Sequence, residues 1–258
     1  MCYMQSDMKF SFSKLESFCQ CPLSFKLKYL DHVPQDGNFY SDYGTFAHGL
    51  LERYAKEEIP SFALAQVYEE GFDEAVTHDP PPFPKGLLDR YYDAGLAYFN
   101  TFDGFGDEWK VALIDGKPAV EQKFEINIGG YPFVGILDLL LINEKTGEYM
   151  VVDHKSKSKS SMDKSLSVFK RQLYIYAAYV KEKLGVMPST LCFNMFKEGY
   201  LLKIPFSQEE FDEAMTWVVD TIEQILLEFE FEPTPSEYFC RFICSVAQSC
   251  PLYGEPDE

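Results

Sequence analysis

Gly135-Ile-Leu-Asp-Leu-Leu-Leu-Ile142 is followed, after a turn at 143–147, by Val151-Val-Asp-His-Lys155. The first run is almost unbroken in its apolar character, the mark of a strand buried on both faces. Asp138 stands in its middle. A carboxylate there, left without a partner, costs several kcal/mol or gives up its charge. It needs a cation or a hydrogen-bonding partner; the plain alternative is a turn cap or a pair with a buried arginine. In the second run, side chains two apart share a face, so Asp153 and Lys155 point the same way. Pairing of the two strands through the short turn brings Asp153 to Asp138. Two carboxylates at one point repel unless a divalent metal lies between them. A lysine beside them suits orientation of water and stabilisation of charge on a phosphate. Either strand alone passes for an ordinary strand with an exposed end, and the conjunction is what points to chemistry.

Working outward, 121–128 alternates Phe124, Ile126 and Ile128 with polar residues, and Gly129-Gly130 supplies a hairpin turn into 131–142. A third strand covers 149–155. Helical spacing predicts a helix over 166–184, then a hairpin from 190–196 and 200–205, and a long acidic helix from Ser207 to about residue 231. Ahead of the strands, Ser13 with Glu16 reads as a capping box for a helix over 14–30. Further helices are expected over 43–57, 62–76 and 86–102, the last two separated by a His-Asp-Pro-Pro-Pro stretch. The expected fold class is α/β, with a mixed central sheet flanked by helices, an N-terminal helical region and a cysteine-rich C-terminal tail. One domain is expected over 1–258: helical 1–105, core 106–206, acidic helix 207–232 and tail 233–258.

The formal charge of −18 argues against a nucleic-acid partner. Its distribution weakens that objection. Between 155 and 183 there are eight basic residues and two acidic ones, a local +6, whereas 207–237 holds ten acidic residues and none basic. The acidic helix would repel DNA toward the basic side or dock a basic partner. The N-terminus carries no apolar leader and no run of about 18 apolar residues occurs, so a soluble cytoplasmic protein without a membrane partner is expected. Seven cysteines, three of them in the last 19 residues, suggest a metal or cluster and not a disulfide framework.

The chain resembles the RecB-like branch of the PD-(D/E)XK nucleases over nearly its whole length, with a restriction-endonuclease-like core. Gly44-Thr-Phe-Ala-His48 looks like that family's helical Gly-Thr-x-x-His motif, and Glu121 matches its usual acidic residue. Gly135-Ile-Leu-Asp138 and Asp153-His-Lys155 match the two core motifs, and Gln172-Leu-Tyr-Ile-Tyr176 matches its Gln-x-x-x-Tyr helix. One departure is His154-Lys-Ser156, where relatives more often carry Tyr-Lys-Thr. The resemblance implies that Asp138, Asp153 and the backbone carbonyl of His154 bind Mg²⁺ or Mn²⁺, with Glu121 and His48 as further ligands. An imidazole would tilt preference toward Mn²⁺. The other reading of His48 is a helix histidine hydrogen-bonded in the core. Glu52, one turn later, would orient His48 or be a solvated charge. Lys155, Gln172 and Tyr176 would complete the catalytic set, although Tyr176 by itself also fits amphipathic packing.

Relatives with an iron–sulfur cluster place one cysteine near the N-terminus and three at the end. Cys21, Cys240, Cys244 and Cys250 resemble that arrangement, with a 4Fe-4S cluster implied and tetrahedral zinc the alternative. Cys19 is a spare candidate, while Cys192 reads as a buried free thiol and Cys2 as an exposed terminus. A cluster would staple a tail that has four prolines and little core. The implied activity is phosphodiester hydrolysis of DNA, single-stranded or at ends, as an exonuclease or end-processing enzyme in repair, recombination, CRISPR adaptation or phage DNA processing. A helicase would have to be a separate chain, since no Walker signature is present. The competing reading is a catalytically inactive module that binds DNA ends.

Overall fold

Ser11, not Ser13, caps the first helix, its hydroxyl accepting from the Lys14 N–H in a computed structural model that describes residues 8–253. Helix α1 (Phe12–Gln20) stops at Cys21, whose backbone is extended, and α2 (Pro22–Tyr29) begins at the next residue. The single helix predicted over 14–30 is therefore two. Pro22 explains the break: it lacks an N–H and disfavours helical backbone in the residue before it, yet suits a first helical position. Asn38 and Ser41 close a capping box on α3 (Phe39–Ala55), which starts four residues earlier than its apolar spacing suggests. Helices α4 (Leu64–Ala75) and α5 (Leu87–Thr101) pack on α3 around Phe39, Tyr43, Leu50, Tyr68 and Tyr98.

The strands that follow are β1 (Trp109–Val111), β2 (Leu113–Ile114), β3 (Lys117–Pro118), β4 (Val120–Ile128), β5 (Tyr131–Asn143), β6 (Tyr149–His154), β7 (Thr190–Met195) and β8 (Tyr200–Pro205). The short β2–β3 pair stands apart. The main sheet runs β1-β5-β6-β7-β8, with β4 pairing the first part of β5 on the edge that β1 continues. All pairings are antiparallel except β6–β7, so the sheet is mixed. That parallel step needs a crossover, and α6 (Lys159–Leu184) supplies it. Gly129 and Gly130 take φ of 60° and 94°, which a two-residue hairpin of this hand requires.

Strand β5 is buried on both sides, as its composition predicts. Leu140 faces a core built with α1, α6 and α7 (Gln208–Leu227), while Leu139 and Leu141 join Met150, Val152 and Cys192 on the other face. Ser158 caps α6 through the Ser161 N–H, so this helix starts seven residues before the predicted 166. Ser207 caps α7 as expected. The helix ends at Leu227 because the Glu228 carboxylate accepts the backbone N–H groups of Phe229, Glu230 and Phe231. The tail, where no element was expected, contains α8 (Glu237–Phe242). Among the described residues no helix is long and apolar enough to cross a membrane.

Gly135 shows how tightly the sheet is covered. A Cβ built there would lie 2.4 Å from Cζ of Phe124, its cross-strand partner, whose ring stacks on Tyr179 at 4.5 Å. Gly135→Ala is expected to lower stability by about 1–3 kcal/mol through overpacking. Denaturant unfolding measures it, and an unchanged midpoint would mean that the Phe124 ring moves freely.

Candidate active site

The β-sheet register lines up three carboxylates. Val120 pairs with Leu139, and Leu139 pairs with Val152. One residue further along each pair, Glu121 and Asp153 flank Asp138 from the two neighbouring strands. Opposed residues share a face of the sheet, so the three acids sit at one level beside α6. Asp138 and Asp153 are buried, the latter only 1% exposed. Glu121 has a φ of 47°, a left-handed conformation that costs a non-glycine residue roughly 1–2 kcal/mol. Strain of this kind concentrates at functional sites.

Helix α3 delivers His48 to the same point. Its Nδ1 is 3.7 Å from Asp138 Oδ2 and 3.9 Å from Glu121 Oε1, and its Nε2 lies 2.7 Å from the backbone oxygen of His154. Among the described residues, His48, Glu121 and Asp138 are the one trio of His, Cys, Asp or Glu whose ligand atoms lie within 4.8 Å of one another. His154 contributes its backbone only: its N–H donates to Asp138 Oδ2 at 2.9 Å. Its imidazole points to the far face, where Nδ1 is 3.0 Å from Asn194, itself bonded to the Tyr98 hydroxyl. Burial, reinforced by the charges of His48 and Lys155, holds this imidazole well below its ordinary pKa.

Lys155 closes the other side. Its ammonium is 2.7 Å from Asp153 Oδ2 and donates to Gln172 Oε1 at 2.9 Å, and Gln172 in turn donates to the Tyr176 hydroxyl at 2.8 Å. Burial opposes the charge on Lys155, but Asp153 and Asp138 outweigh it and the ammonium is retained. Tyr176 is pushed well above its usual range by burial and by the two aspartates, so its phenol stays protonated. Of its two expected parts Glu52 takes the surface charge: its carboxylate pairs with Lys56, one turn on. The spacing of four that relates it to His48 relates it equally to Lys56.

This donor set fits a divalent cation. Asp153 is 1% exposed, and its Oδ2 has the Lys155 ammonium at 2.7 Å as its close cationic partner. Burial and then the Asp153 charge raise the Asp138 carboxyl to about 7. Burial disfavours charge on His48, yet Glu121, Asp138 and the His154 carbonyl carry its pKa above the ordinary value. Acids gathered this closely hold protons where a cation would otherwise stand.

Two clefts meet at these residues. One, of about 770 Å³, contains Asp138, Gln172 and Tyr176; the other, of about 800 Å³, contains His154, Lys155 and the start of α6; His48 and Glu121 border both. The second also contains Tyr40, Tyr91, Lys157, Lys197 and Tyr238, none of which belongs to a readable motif. The basic stretch after Lys155 lies only partly along these clefts. Lys170 pairs with Glu210, and Arg171 sits 4.5 Å over the Trp217 ring, both engaged with the acidic helix α7.

The cysteines assemble elsewhere. Cys21, Cys240, Cys244 and Cys250 line one cavity of about 770 Å³, and the Thr234 and Ser236 N–H groups point to the sulfurs of Cys21 and Cys240 at 3.4 Å. The four sulfurs do not close to 4.8 Å of one another. Cys19 is not among them; it faces Thr221 and Trp217 of α7. Cys192 is a fully buried free thiol, raised to about 12 by burial, and Cys2 lies outside the described residues.

The family description "PD-(D/E)XK nuclease superfamily" matches residues 9–251. The Gene 69 protein of Mycobacterium phage D29 is 27% identical over 94% of this chain and 96% of its own length. Its counterpart in Mycobacterium phage L5 is 24% identical over the same shares. The crystal structure of SSO0001 aligns over 93% of each chain at 20% identity with a TM-score of 0.34.

A carboxyl whose pKa is raised on folding weakens the fold as pH climbs from the unfolded value near 4 to the folded one, and the deficit persists above it. Asp138→Asn should therefore stabilise the metal-free protein at pH 8, by roughly 1–4 kcal/mol, and leave it unchanged at pH 4. Mn²⁺ should stabilise the wild type and not the variant. Calorimetric melting with EDTA or Mn²⁺ at both pH values checks this; a variant less stable at pH 8 would mean that Asp138 is fully compensated by its neighbours.

Proposed function

The chain belongs to the PD-(D/E)XK nuclease superfamily, and from that premise we propose that it is a metal-dependent DNA exonuclease or end-processing nuclease. The observation that carries the reading is the meeting of Asp138, Asp153 and Lys155 with His48 and Glu121 at one level of the sheet. A decayed binding module would be expected to have lost part of that set.

In this reading Asp138, Asp153, His48, Glu121 and the His154 carbonyl hold the cation, with the imidazole favouring Mn²⁺ over Mg²⁺. The bound metal supplies Lewis acidity toward water and the phosphate. Lys155, kept charged by the aspartates, orients the attacking water and offsets negative charge growing on the phosphate. Gln172 accepts from the ammonium and holds it in place, and its amide in turn donates to the Tyr176 hydroxyl. The neutral Tyr176 phenol faces the cleft that holds Asp138, where it can donate to the strand being cut.

Cleavage of end-labelled single- and double-stranded DNA with Mn²⁺, Mg²⁺ or EDTA tests this. Metal-dependent cutting should fall at least a hundredfold in Asp153→Ala and in Lys155→Ala; Gln172→Ala should fall less. A wild type that binds DNA ends and cuts nothing with metal present would transfer the assignment to the binding module.

The cysteine cavity is proposed to hold a 4Fe-4S cluster. Tetrahedral zinc is the alternative that four thiolates would also satisfy. Backbone N–H groups directed at sulfur favour the thiolate form and tune such clusters. Anaerobic purification should give brown, iron-loaded protein, with iron lost in Cys244→Ala. An iron-free, zinc-loaded protein would overturn the assignment.

A further inference from the structure

His154 serves the site with its main chain, while its side chain ends in a buried polar network on the far face of the sheet. Successive residues of a strand turn their main-chain groups to opposite neighbours. The N–H and carbonyl of His154 face β5 and α3, reaching Asp138 Oδ2 at 2.9 Å and His48 Nε2 at 2.7 Å. The Lys155 N–H turns the other way and donates to the Asn194 carbonyl at 2.9 Å. Asn194 is also the register partner of His154 on β7, and its side chain takes hold of that same residue. Its amide donates to His154 Nδ1 at 3.0 Å and to the Tyr98 hydroxyl at 2.8 Å, and its Oδ1 accepts from that hydroxyl at 3.0 Å. Both amide N–H bonds and the amide oxygen are thereby engaged. Asn194 is fully buried, and His154 and Tyr98 are buried with it.

The layer around this network is apolar. Leu139, Leu141, Met150, Val152 and Cys192 pack together on that face, and the Phe105 ring lies 6.4 Å from the His154 ring. An asparagine placed there costs desolvation that its bonds must offset, and what a satisfied buried network contributes is one fixed arrangement. The arrangement fixed here is that of the 154 peptide. Its carbonyl accepts from His48 Nε2, which leaves Nδ1 as the ring nitrogen turned to Asp138 and Glu121, at 3.7 and 3.9 Å. A tilt of that peptide would turn His48 and release Asp138 together. We propose that Asn194, backed by Tyr98, is a positioning residue of the metal site, its amide holding the 154 peptide in the orientation that meets both Asp138 and His48. The proposal rests on the nuclease reading and names groups behind the sheet that set the site's affinity for its cation. It also gives the joint between α5 and the sheet a part in metal binding, since Tyr98 belongs to the core of the helical region.

Mn²⁺ titration followed by electron paramagnetic resonance, on the full-length protein purified anaerobically and without DNA, reads the site apart from cutting. Asn194→Leu keeps the side-chain size and removes both donors; it should weaken Mn²⁺ binding about tenfold, as loss of a group that orients a ligand commonly does. Tyr98→Phe keeps the ring and removes only the outer bonds, so it should weaken binding in the same direction by about threefold. Cys192→Ala, on the same face of β7, leaves the Asn194 bonds in place and should stay within about twofold of wild type. In metal-dependent cutting, saturating Mn²⁺ should restore the rate of Asn194→Leu, whereas a merely structural role would lower the rate at every concentration. If Asn194→Leu fails to fold, Tyr98→Phe decides on its own. Wild-type Mn²⁺ affinity in the variants that fold, or an equal loss in Cys192→Ala, overturns the positioning role and leaves the nuclease reading standing. A wild type that binds no Mn²⁺ overturns both. Mn²⁺ binding that depends on Asn194, without any cutting of DNA, overturns the nuclease reading alone.

Discussion

Everything near the site follows from placing three carboxylates on neighbouring strands at the same level of one sheet. Like charges so close cannot all ionise without a cation, and burial raises the cost further. The surrounding structure answers in two ways. Cationic or proton-bearing groups are brought up, His48 from α3 and Lys155 from the end of β6. The backbone also contributes, through the His154 N–H to Asp138. What remains unanswered is the Asp138 carboxyl, raised by burial and by Asp153, and a strained backbone at Glu121. Both are costs that the fold carries at one place only because the rest of the sheet is packed on both faces.

The two faces of β6 divide the work. Val151 and Asp153 look toward α6, and the chemistry lies there; Met150, Val152 and His154 look the other way into a second layer. His154 illustrates the division within one residue. Its backbone links His48 to Asp138, while its neutral imidazole is tied through Asn194 to Tyr98 on α5. The helical region built on α3, α4 and α5 is thereby fixed to the sheet at the level of the site. Correct placement of His48 depends on that attachment, because α3 carries it from a hydrophobic core of its own.

The features legible in the sequence are those governed by local periodicity. The strands from Val120 to His154 and the β7–β8 hairpin lie within a residue or two of their alternation patterns, and Asp138 was conspicuous because nothing polar belongs in such a run. Helix starts were less legible, since α6 opens with a serine- and lysine-rich turn whose single buried apolar residue, Met162, sets no period, and the Ser158 cap defines its start. Glu52 shows the limit of spacing arguments: one helical turn separates it from a histidine on one side and a lysine on the other, and the lysine holds it. The cleft rim was illegible for a different reason. Tyr40 and Tyr238 meet across 198 positions of sequence, and no pattern within either segment encodes that contact.

Net charge becomes intelligible once each cation is followed to its partner. A chain of −18 would repel a polyanion if its charges were evenly spread. They are sorted instead. The acidic face of α7 takes up Lys170 and Tyr174 through Glu210 and lies against Arg171 through Trp217, on the opposite side of α6 from the carboxylates. The part of the basic stretch nearest β6 keeps Lys155 and Lys157 facing the cleft, joined there by Lys197 from the β7–β8 turn. Acid gathered on α7 disfavours phosphate on that side of α6, while a cation held by the three carboxylates would offset their charge at the cleft.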